Sequence, residues 1–502
     1  MTRKNSIFWL GFISIYLLAF LLQTQLLLNW DVSWLMLTTK KLLSGGHYGK
    51  DFFEINPPMI LYLYIPPVLI SKFFLISRIF ALRIYIFLLT SISLLLCYPL
   101  LKKILANSSF NKLFLLVMAS IFLILPTYEF GQREHLLLIL IMPYILLAAN
   151  RIENYSIKKR YIFLSGLLAG FGFSIKPYFL AIFIAIEFFY LLVTRRLFAW
   201  FRLETLLIIA IVLIYLGSTK YFYPEYFDIT RLMRPIYPLG FHTSRLILLL
   251  EPTTLFCLMP LILFFAFRSI NVHKTLSAVL LTALIGALIA YFIQSAWWYY
   301  HIFPALSLAV LVLLLLLDGF YQKIALALNK LERWIGMSVL SFVFFFYPLF
   351  WITITSSWAY FSYKIPMNHL IQFIEAHARN KPILFFATST IYAFPAVEYA
   401  NATYAGRFAF QGWLVNALHD KSPTIPYKDF FINMIADDIN NQKPLLIFID
   451  IAEKKGNLDN IKLDYLNYFG SNQKFKRAFK AYHYFTTIEE PNVYRFAVYK
   501  RT

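Results

Sequence analysis

The chain has 502 residues, of which 60% are hydrophobic and only 14% are charged, and its mean hydropathy is +0.65. Soluble domains carry roughly 25% charged residues, so this composition excludes a soluble enzyme and predicts a polytopic α-helical membrane protein. The formal net charge of +21 lies mostly in short loops between apolar runs, where it sets orientation, so no nucleic-acid partner is expected. Cys97 and Cys257 both lie inside apolar runs, which predicts packing roles rather than a disulfide or a metal site.

Apolar runs of nearly bilayer length follow one another as far as about residue 355, and we expect eleven membrane-spanning helices. The first run follows Arg3 and Lys4 without a cleavage site and is expected to stay as an anchor. The stretch 58–76 contains Pro66 and Pro67, which remove backbone donors and predict broken helices in the interface. The eleven predicted spans are 7–29, 80–101, 112–127, 135–150, 160–175, 177–194, 203–220, 252–268, 274–295, 300–318 and 334–355.

The basic residues test this topology. With 58–76 left out, every strongly basic loop falls on one side of the membrane, for example the loops that hold Lys102 and Lys103 or Arg195 and Arg196. The positive-inside rule places that side in the cytoplasm. The N-terminus is therefore expected in the cytoplasm, and the polar residues of the opposite loops are expected outside.

The residue pattern changes after Tyr363, where charged residues become evenly spaced and the apolar runs become short. The runs that begin at Pro382 and Pro444 are typical of buried strands, and 369–379 has helical spacing. We therefore divide the chain into a membrane domain, 1–363, with an outer loop at 30–79, and a soluble α/β domain, 364–502, outside the membrane.

Three acids lie in the loop that follows the first span. Asp31 sits between Trp30 and Trp34, and it is either a functional carboxylate at the membrane boundary or the N-cap of a helix that starts at Val32, two compatible roles. Asp51 and Glu54 follow in Y-G-K-D-F-F-E-I-N-P-P, where a proline pair forces an extended exit. Acids beside two phenylalanines are unusual in a solvated loop, so all three are catalytic candidates.

The segment F-G-Q-R-E-H, 130–135, is the densest polar cluster between two spans. Arg133 either pairs with Glu129 one helical turn away or binds substrate. Glu134, a fourth catalytic candidate, and His135, a candidate substrate-binding residue, would then be left to orient an acceptor hydroxyl or to hold a divalent metal ion loosely. No firmly bound metal is expected.

Several cations and one histidine on the same side are candidate substrate-binding residues. Lys176, at a tight turn, is either a snorkelling anchor or a phosphate ligand. Arg231 and Arg234, in the long loop 221–251, either bind phosphate or contact anionic lipid. His301 follows two tryptophans and either binds substrate or belongs to an aromatic belt.

The order of these features resembles the GT-C class of polyprenyl-phosphate-dependent glycosyltransferases, in particular the protein mannosyltransferase and aminoarabinose transferase families. The residues that carry the resemblance are the early acid Asp31, the pair Pro57-Pro58, and the second acid Glu134, followed by a soluble C-terminal domain. Many relatives have a histidine where this chain has Asn56.

The resemblance implies a glycosyltransferase of the bacterial inner membrane that takes a sugar from a polyprenyl-phosphate donor and inverts it. The acceptor would be a glycan, a lipid or a protein on the periplasmic face. Asp31 would be the base, and Lys176 with Arg231 or Arg234 would stabilise the leaving phosphate. Two other functions stay open. One is a lipid-linked polysaccharide ligase or polymerase, and the other is a lipid transporter or flippase, which the absence of an internal repeat disfavours.

Overall fold

The computed structural model describes residues 3–105, 107–236, 241–323, 329–342, 347–419, 427–458 and 461–502. Its first part is a bundle of helices, several of which open on a capping residue. The side-chain oxygens of Asn29, Ser77 and Asn107 accept N–H bonds from the first turns of the helices that begin at Trp30, Arg78 and Ser108. The helices of this part are α1 (Arg3–Gln25), α2 (Trp30–Leu43), α3 (Met59–Phe74), α4 (Arg78–Ile104), α5 (Ser108–Leu123), α6 (Arg133–Ile152), α7 (Lys159–Phe173), α8 (Leu180–Thr194), α9 (Leu203–Phe222), α10 (Pro224–Met233), α11 (Arg245–Leu250), α12 (Pro252–Ala266), α13 (Lys274–Gln294), α14 (Tyr299–Lys323), α15 (Lys330–Ser341) and α16 (Tyr347–Ala378).

Seven segments among the described residues are long and apolar enough to cross a membrane: α1, α4, α6, Pro177–Thr194 with α8, α9, α13 and α14. The predicted polytopic helical membrane fold is thereby confirmed. The expected number of eleven spans is not reached by this measure, because α5, α7 and α12 have only 16, 15 and 15 residues. In each of these three places, the predicted apolar run covers both a helix and the turn beside it.

The prediction of broken helices at 58–76 is wrong. Pro66 and Pro67 lie inside one continuous helix, α3, which packs against α2 and α4. Each proline removes a single backbone bond, and neighbouring helices can hold such a helix together. With 16 residues, α3 is shorter than the seven candidate spans.

The predicted span 334–355 corresponds to two helices, α15 and α16, and its residues 343–346 lie outside the described part of the chain. The second of these, α16, has 32 residues and passes through residue 363 without a break. The membrane part and the tail are therefore joined by a helix rather than by a loop.

The tail is a small α/β unit, as the sequence predicts. Its sheet has the order β2-β1-β3-β5-β4, in which β1, β2 and β3 are parallel and β4 and β5 are antiparallel to their neighbours. The carboxyl ends of the three parallel strands thus meet at one edge. The elements are β1 (Pro382–Phe386), α17 (Ala396–Tyr399), β2 (Thr403–Tyr404), α18 (Gly412–His419), α19 (Lys428–Gln442), β3 (Leu446–Asp450), α20 (Tyr465–Gly470), α21 (Gln473–Phe479), β4 (Tyr482–Glu490) and β5 (Tyr494–Arg501).

The tail docks on the loop between α2 and α3. The ammonium of Lys41 donates to the carbonyl oxygens of Asp51 and Gly406, both at 2.9 Å. The backbone N–H of Phe53 donates to the Arg407 carbonyl at 2.7 Å, and the Arg407 guanidinium donates to the Gly49 carbonyl at 3.0 Å. These bonds fix the loop and the tail to each other, and a cavity is enclosed beside them.

Candidate functional site

A cavity of about 640 Å³ lies between the membrane helices and the tail. Its charged lining residues all come from the membrane part, whereas the tail contributes loops that follow β1, β2 and β3. The lining residues used below are Trp30, Asp31, Trp34, Glu54, Asn56, Arg133, Lys176, Tyr226, Thr230, Met233, Gln294, Trp297, Trp298, Tyr300, His301, Ser389, Thr390, Ile391, Phe408, Ala409, Phe410, Gly412, Trp413 and Asn457.

Asp31 lies in the first turn of α2 and has one unengaged oxygen. Its Oδ2 accepts bonds from Arg133 at 2.7 Å and from Gln132 at 3.2 Å, whereas its Oδ1 has no partner among the described residues. One quarter of the side chain, 25%, is exposed. The expectation that Asp31 caps a helix starting at Val32 is wrong, because α2 begins two residues earlier, at Trp30, and its cap is Asn29.

Arg133 opens α6 and is almost fully buried beside the cavity. Besides Asp31, it donates to the side-chain oxygen of Asn56, and its guanidinium lies 5.3 Å from the centre of the Tyr300 ring. The alternative pairing with Glu129 does not occur. The Glu129 carboxylate instead accepts a bond from the Asn29 amide at 2.9 Å.

Glu54 lines the cavity, but both of its oxygens are occupied. Oε2 accepts the indole N–H of Trp34 at 2.5 Å, and Oε1 accepts the backbone and side-chain N–H groups of Asn56, both at 2.7 Å. Burial raises the pKa of this carboxyl above its usual range. Glu54 therefore orients Asn56, which in turn holds Arg133, and it offers no free oxygen for catalysis.

Asp51 is not among the residues that line the cavity. Its carboxylate accepts the backbone N–H of His47 at 2.8 Å and closes a local turn. We therefore withdraw the catalytic role expected for Asp51.

Lys176 lies between α7 and a short 3-10 turn, and it is buried rather than snorkelling. Its ammonium donates to Glu134 at 2.6 Å and to Gln294 at 3.0 Å. An ammonium has three N–H donors, so one remains available to the cavity. Burial lowers the pKa of Lys176 to about 8, against the opposing effect of the Glu134 carboxylate.

Glu134 does not itself reach the cavity. It is fully buried, and its contact with the site is the ion pair with Lys176. A buried ammonium without such a counter-ion would be costly. Glu134 is thus placed to hold Lys176, and a catalytic role in direct contact with substrate is not supported by its position.

His135 is closed off from substrate. Its Nδ1 accepts the N–H of Gly131 at 2.9 Å, which leaves the proton on Nε2, and Nε2 donates to the Phe122 carbonyl at 2.6 Å. The expected substrate-binding role of His135 is therefore wrong, because both ring nitrogens hold the loop before α6 together. His301, in contrast, does line the cavity, where its Nδ1 lies 3.2 Å from the carbonyl oxygen of Ala296.

Arg231 and Arg234 do not line the cavity. Arg231 makes an ion pair with Asp228 at 3.4 Å in which both side chains are largely exposed, and Arg234 is exposed as well. The cavity-facing residues of α10 are Tyr226, Thr230 and Met233. The phosphate-binding role expected for the two arginines is thus not supported by their positions.

The residues named for a divalent ion do not form a donor set. In the described parts of the chain, no three His, Cys, Asp or Glu side chains are grouped so that they could hold a metal. His135 has no free nitrogen, and one oxygen of Glu134 is taken by Lys176. A loosely held ion that enters with substrate stays a prediction, which a chelator titration of activity would check.

Sequence reasoning missed the amides that hold the charged groups in place. Gln132 donates at 2.9 Å to Asn29, the cap of α2, and also to Asp31 at 3.2 Å, so one side chain joins the start of α6 to the start of α2. The side-chain oxygen of Asn56 accepts a bond from Arg133, and that of Gln294 accepts a bond from Lys176. The only sign of these amides in the sequence is their position, because each one lies within a few residues of an acid, a cation or a tryptophan pair.

Comparisons with known proteins agree with this architecture. Neither the family models nor the curated protein sequences give a match to this chain. Among solved structures, the chain is similar to the crystal structure of ArnT from Cupriavidus metallidurans in the apo state, with a TM-score of 0.53 and 12% identity. The alignment covers 89% of this chain and 93% of that chain. This likeness confirms the GT-C fold expected from the sequence, without assigning the chain to one family within it.

Proposed function

We propose that this protein is a membrane glycosyltransferase that transfers a sugar from a polyprenyl-phosphate donor to a hydroxyl of a glycan, lipid or protein acceptor. The observation that carries the proposal is that one cavity holds both a carboxylate with a free oxygen, Asp31, and an ammonium with a free N–H, Lys176. A base and an anion-binding cation in one partly enclosed site are the two groups that this reaction requires.

Asp31 is the proposed general base. Its Oδ1 takes the proton of the acceptor hydroxyl while the hydroxyl oxygen forms a bond to the anomeric carbon. The bond between that carbon and the phosphate oxygen breaks, and its electron pair stays on the phosphate. Because the displacement occurs in one step from the opposite face, the anomeric configuration is inverted. Arg133 and Gln132 both engage Oδ2, so they fix the carboxylate without blocking Oδ1.

Lys176 is the proposed ligand of the leaving phosphate. Its third N–H can make a charge-assisted bond, and its burial makes that bond stronger than it would be in water. Glu134 and Gln294 hold the ammonium from the protein side, so it is oriented before the substrate arrives. Arg133 replaces Arg231 and Arg234 as the second cation of the site.

The apolar wall of the cavity suits the lipid part of the donor. Trp297 and Trp298 stack with their ring centres 5.4 Å apart, and Trp297 is 60% exposed. Together with Tyr226 and Met233 they offer an apolar surface to the first isoprene units, at a level where aromatic residues are typical of a membrane boundary. We place this face outside the cytoplasmic membrane of a bacterium, since the far ends of α6 and α8 lead into basic loops.

The test is mass spectrometry of envelope glycans and glycolipids from cells that lack the gene. These cells would be compared with cells that express the wild-type protein or the Asp31→Asn variant. We expect one glycosylated species to be present only with the wild-type protein, and a polyprenyl-phosphate sugar to accumulate in the other two strains. Identical profiles in all three strains would contradict the proposal.

A further inference from the structure

The loops that follow the three parallel strands of the tail all reach the cavity. The loop after β1 contributes Ser389, Thr390 and Ile391, the segment after β2 contributes 408–410, 412 and 413, and the loop after β3 contributes Asn457. In open α/β sheets, ligands bind in the crevice outside the carboxyl ends of the strands. The tail therefore presents to the cavity that holds Asp31 the edge at which open α/β sheets bind ligands.

The two halves of the cavity differ in charge. Asp31, Glu54, Arg133 and Lys176 all belong to the membrane half, whereas none of the described residues by which the tail lines the cavity is charged. The tail half offers hydroxyl groups instead. Ser389 and Thr390 are half-buried. The Ser389 hydroxyl accepts the Ile391 backbone N–H at 3.4 Å and keeps its own O–H to donate, and the Thr390 hydroxyl has no hydrogen-bond partner among the described residues. A neutral ligand rich in hydroxyl groups matches this surface.

The aromatic part of the tail half is held rigidly. Trp413 stacks on Phe431 with ring centres 4.8 Å apart, and Phe408 packs on Phe53 of the docked loop at 5.0 Å. A Cβ at Gly412 would lie 2.4 Å from the Phe410 ring, so a side chain there would require that ring to shift. The wall is thus formed before any ligand binds, as expected of a binding site.

We propose that the tail forms the acceptor half of the cavity and that it binds a neutral carbohydrate. The inference rests on the proposed function, because it assigns the second substrate of that reaction. A peptide acceptor fits less well, since peptides commonly add to an unpaired edge of a sheet. Here the cavity meets the ends of the strands and not the edge strands β2 and β4.

The test uses the full chain in phospholipid nanodiscs and measures two ligands separately. Saturation-transfer NMR would follow methyl glucoside, methyl galactoside and methyl mannoside, with an uncharged serine tripeptide for comparison, and a titration would follow undecaprenyl phosphate. The variants are Ser389→Ala and Thr390→Val. The control is Thr403→Val, an equal change at an exposed residue of β2 that does not line the cavity.

We expect at least one glycoside to bind more tightly than the tripeptide. Each variant should weaken glycoside binding roughly three- to tenfold, as expected for the loss of one neutral hydrogen bond, and leave undecaprenyl phosphate binding unchanged. The inference is overturned if the tripeptide binds best, or if both variants behave like Thr403→Val. Failure of the wild-type protein to bind undecaprenyl phosphate would instead count against the proposed function and leave the glycoside result to stand by itself.

Discussion

Helix α6 carries an arginine at each end, and the two arginines belong to different kinds of polar cluster. Arg133 lies in the first turn and Arg151 in the last, roughly 27 Å apart at 1.5 Å per residue. Each arginine pairs with an acid, Asp31 at one end and Glu204 at the other. The same residue types therefore stand at both ends, and their surroundings decide what they do.

The cluster around Arg151 is closed. Arg151 makes two bonds to Glu204, at 2.9 and 3.0 Å, and Arg202 pairs with Glu187. Glu187 also accepts the Tyr144 hydroxyl at 2.6 Å. None of these residues lines the cavity beside Asp31. The cluster connects α6, α8 and α9, and we regard it as a structural clamp.

The cluster around Arg133 is open. Asp31 keeps one oxygen and Lys176 keeps one N–H outside the protein's own hydrogen bonds, and both residues border a cavity of about 640 Å³. A buried ion pair is by itself weak grounds for a function, because such pairs are also found as structural elements. Spare hydrogen-bonding capacity beside a cavity is what distinguishes the proposed site from the clamp.

The largest effect is expected for Asp31→Asn. The amide can still accept bonds from Arg133 and Gln132, so folding should persist, but it cannot take the proton of the acceptor. We expect kcat for sugar transfer to fall by roughly 10²- to 10⁴-fold, the usual contribution of a positioned base. The measurement is turnover by purified protein in lipid, and near-normal turnover would remove Asp31 as the base.

Arg151→Met should give the opposite outcome at the other end of α6. It removes the nearer of the two cations paired with the buried Glu204 carboxylate and leaves Arg202 at 3.7 Å, so it should lower the free energy of unfolding by about 1.5–3 kcal/mol, as expected for losing hydrogen bonds to a charged group. Turnover per folded molecule should be unchanged. The double variant Arg151→Met/Glu204→Gln removes both charges and should recover most of the stability. Denaturant unfolding in detergent and a parallel transfer assay check this, and a selective loss of turnover would show that the clamp is part of the site.

The third prediction concerns the donor. Replacing Lys176 alone would leave Glu134 as an unpaired buried charge, so the matched variant is Lys176→Met/Glu134→Gln. Loss of one charge-assisted bond to phosphate should weaken donor binding by about 1–3 kcal/mol, seen as a higher KM for the lipid-linked sugar. Lys176→Arg is the control, because it keeps a cation beside Glu134. Equal KM values for the double variant and the wild type would assign Lys176 to packing alone.

The smallest effect is a pH dependence. Lys176 is a cation below its pKa, which burial lowers to about 8, so kcat/KM for the donor should decline as pH rises through about 8. The fraction of charged lysine falls tenfold per pH unit above the pKa, so the decline should steepen there and level off at the loss expected for the uncharged side chain, about 1–3 kcal/mol. In Lys176→Arg the charge persists at high pH, and the decline should disappear. A profile of the same shape in both proteins would show that another group titrates.

The sequence alone sufficed for the fold class, because hydropathy and basic loops are properties of single segments. It failed at α3, where Pro66 and Pro67 indicated a break. What keeps α3 continuous is its packing between α2 and α4, which the local sequence does not record.

The site was only partly predictable for a similar reason. Asp31, Lys176 and His301 line the cavity, and their roles stay predictions, whereas Arg231 points away although Thr230, one residue before it, lines the cavity. A loop sequence does not fix the direction of a side chain before the tertiary contacts are known. The tail half of the cavity could not be predicted at all, since its residues, 389–457, lie far from Asp31 in the sequence.

The most direct test is to supply the purified protein in nanodiscs with a panel of undecaprenyl-phosphate sugars and an extract of envelope glycans and lipids. Free undecaprenyl phosphate and newly glycosylated acceptor would be measured together. We predict that one donor yields both products in equal amounts, with the anomeric configuration inverted, and that Asp31→Asn yields neither at a comparable rate. Movement of intact lipid-linked sugar across the bilayer without release of undecaprenyl phosphate from any donor would contradict the account and identify a transporter.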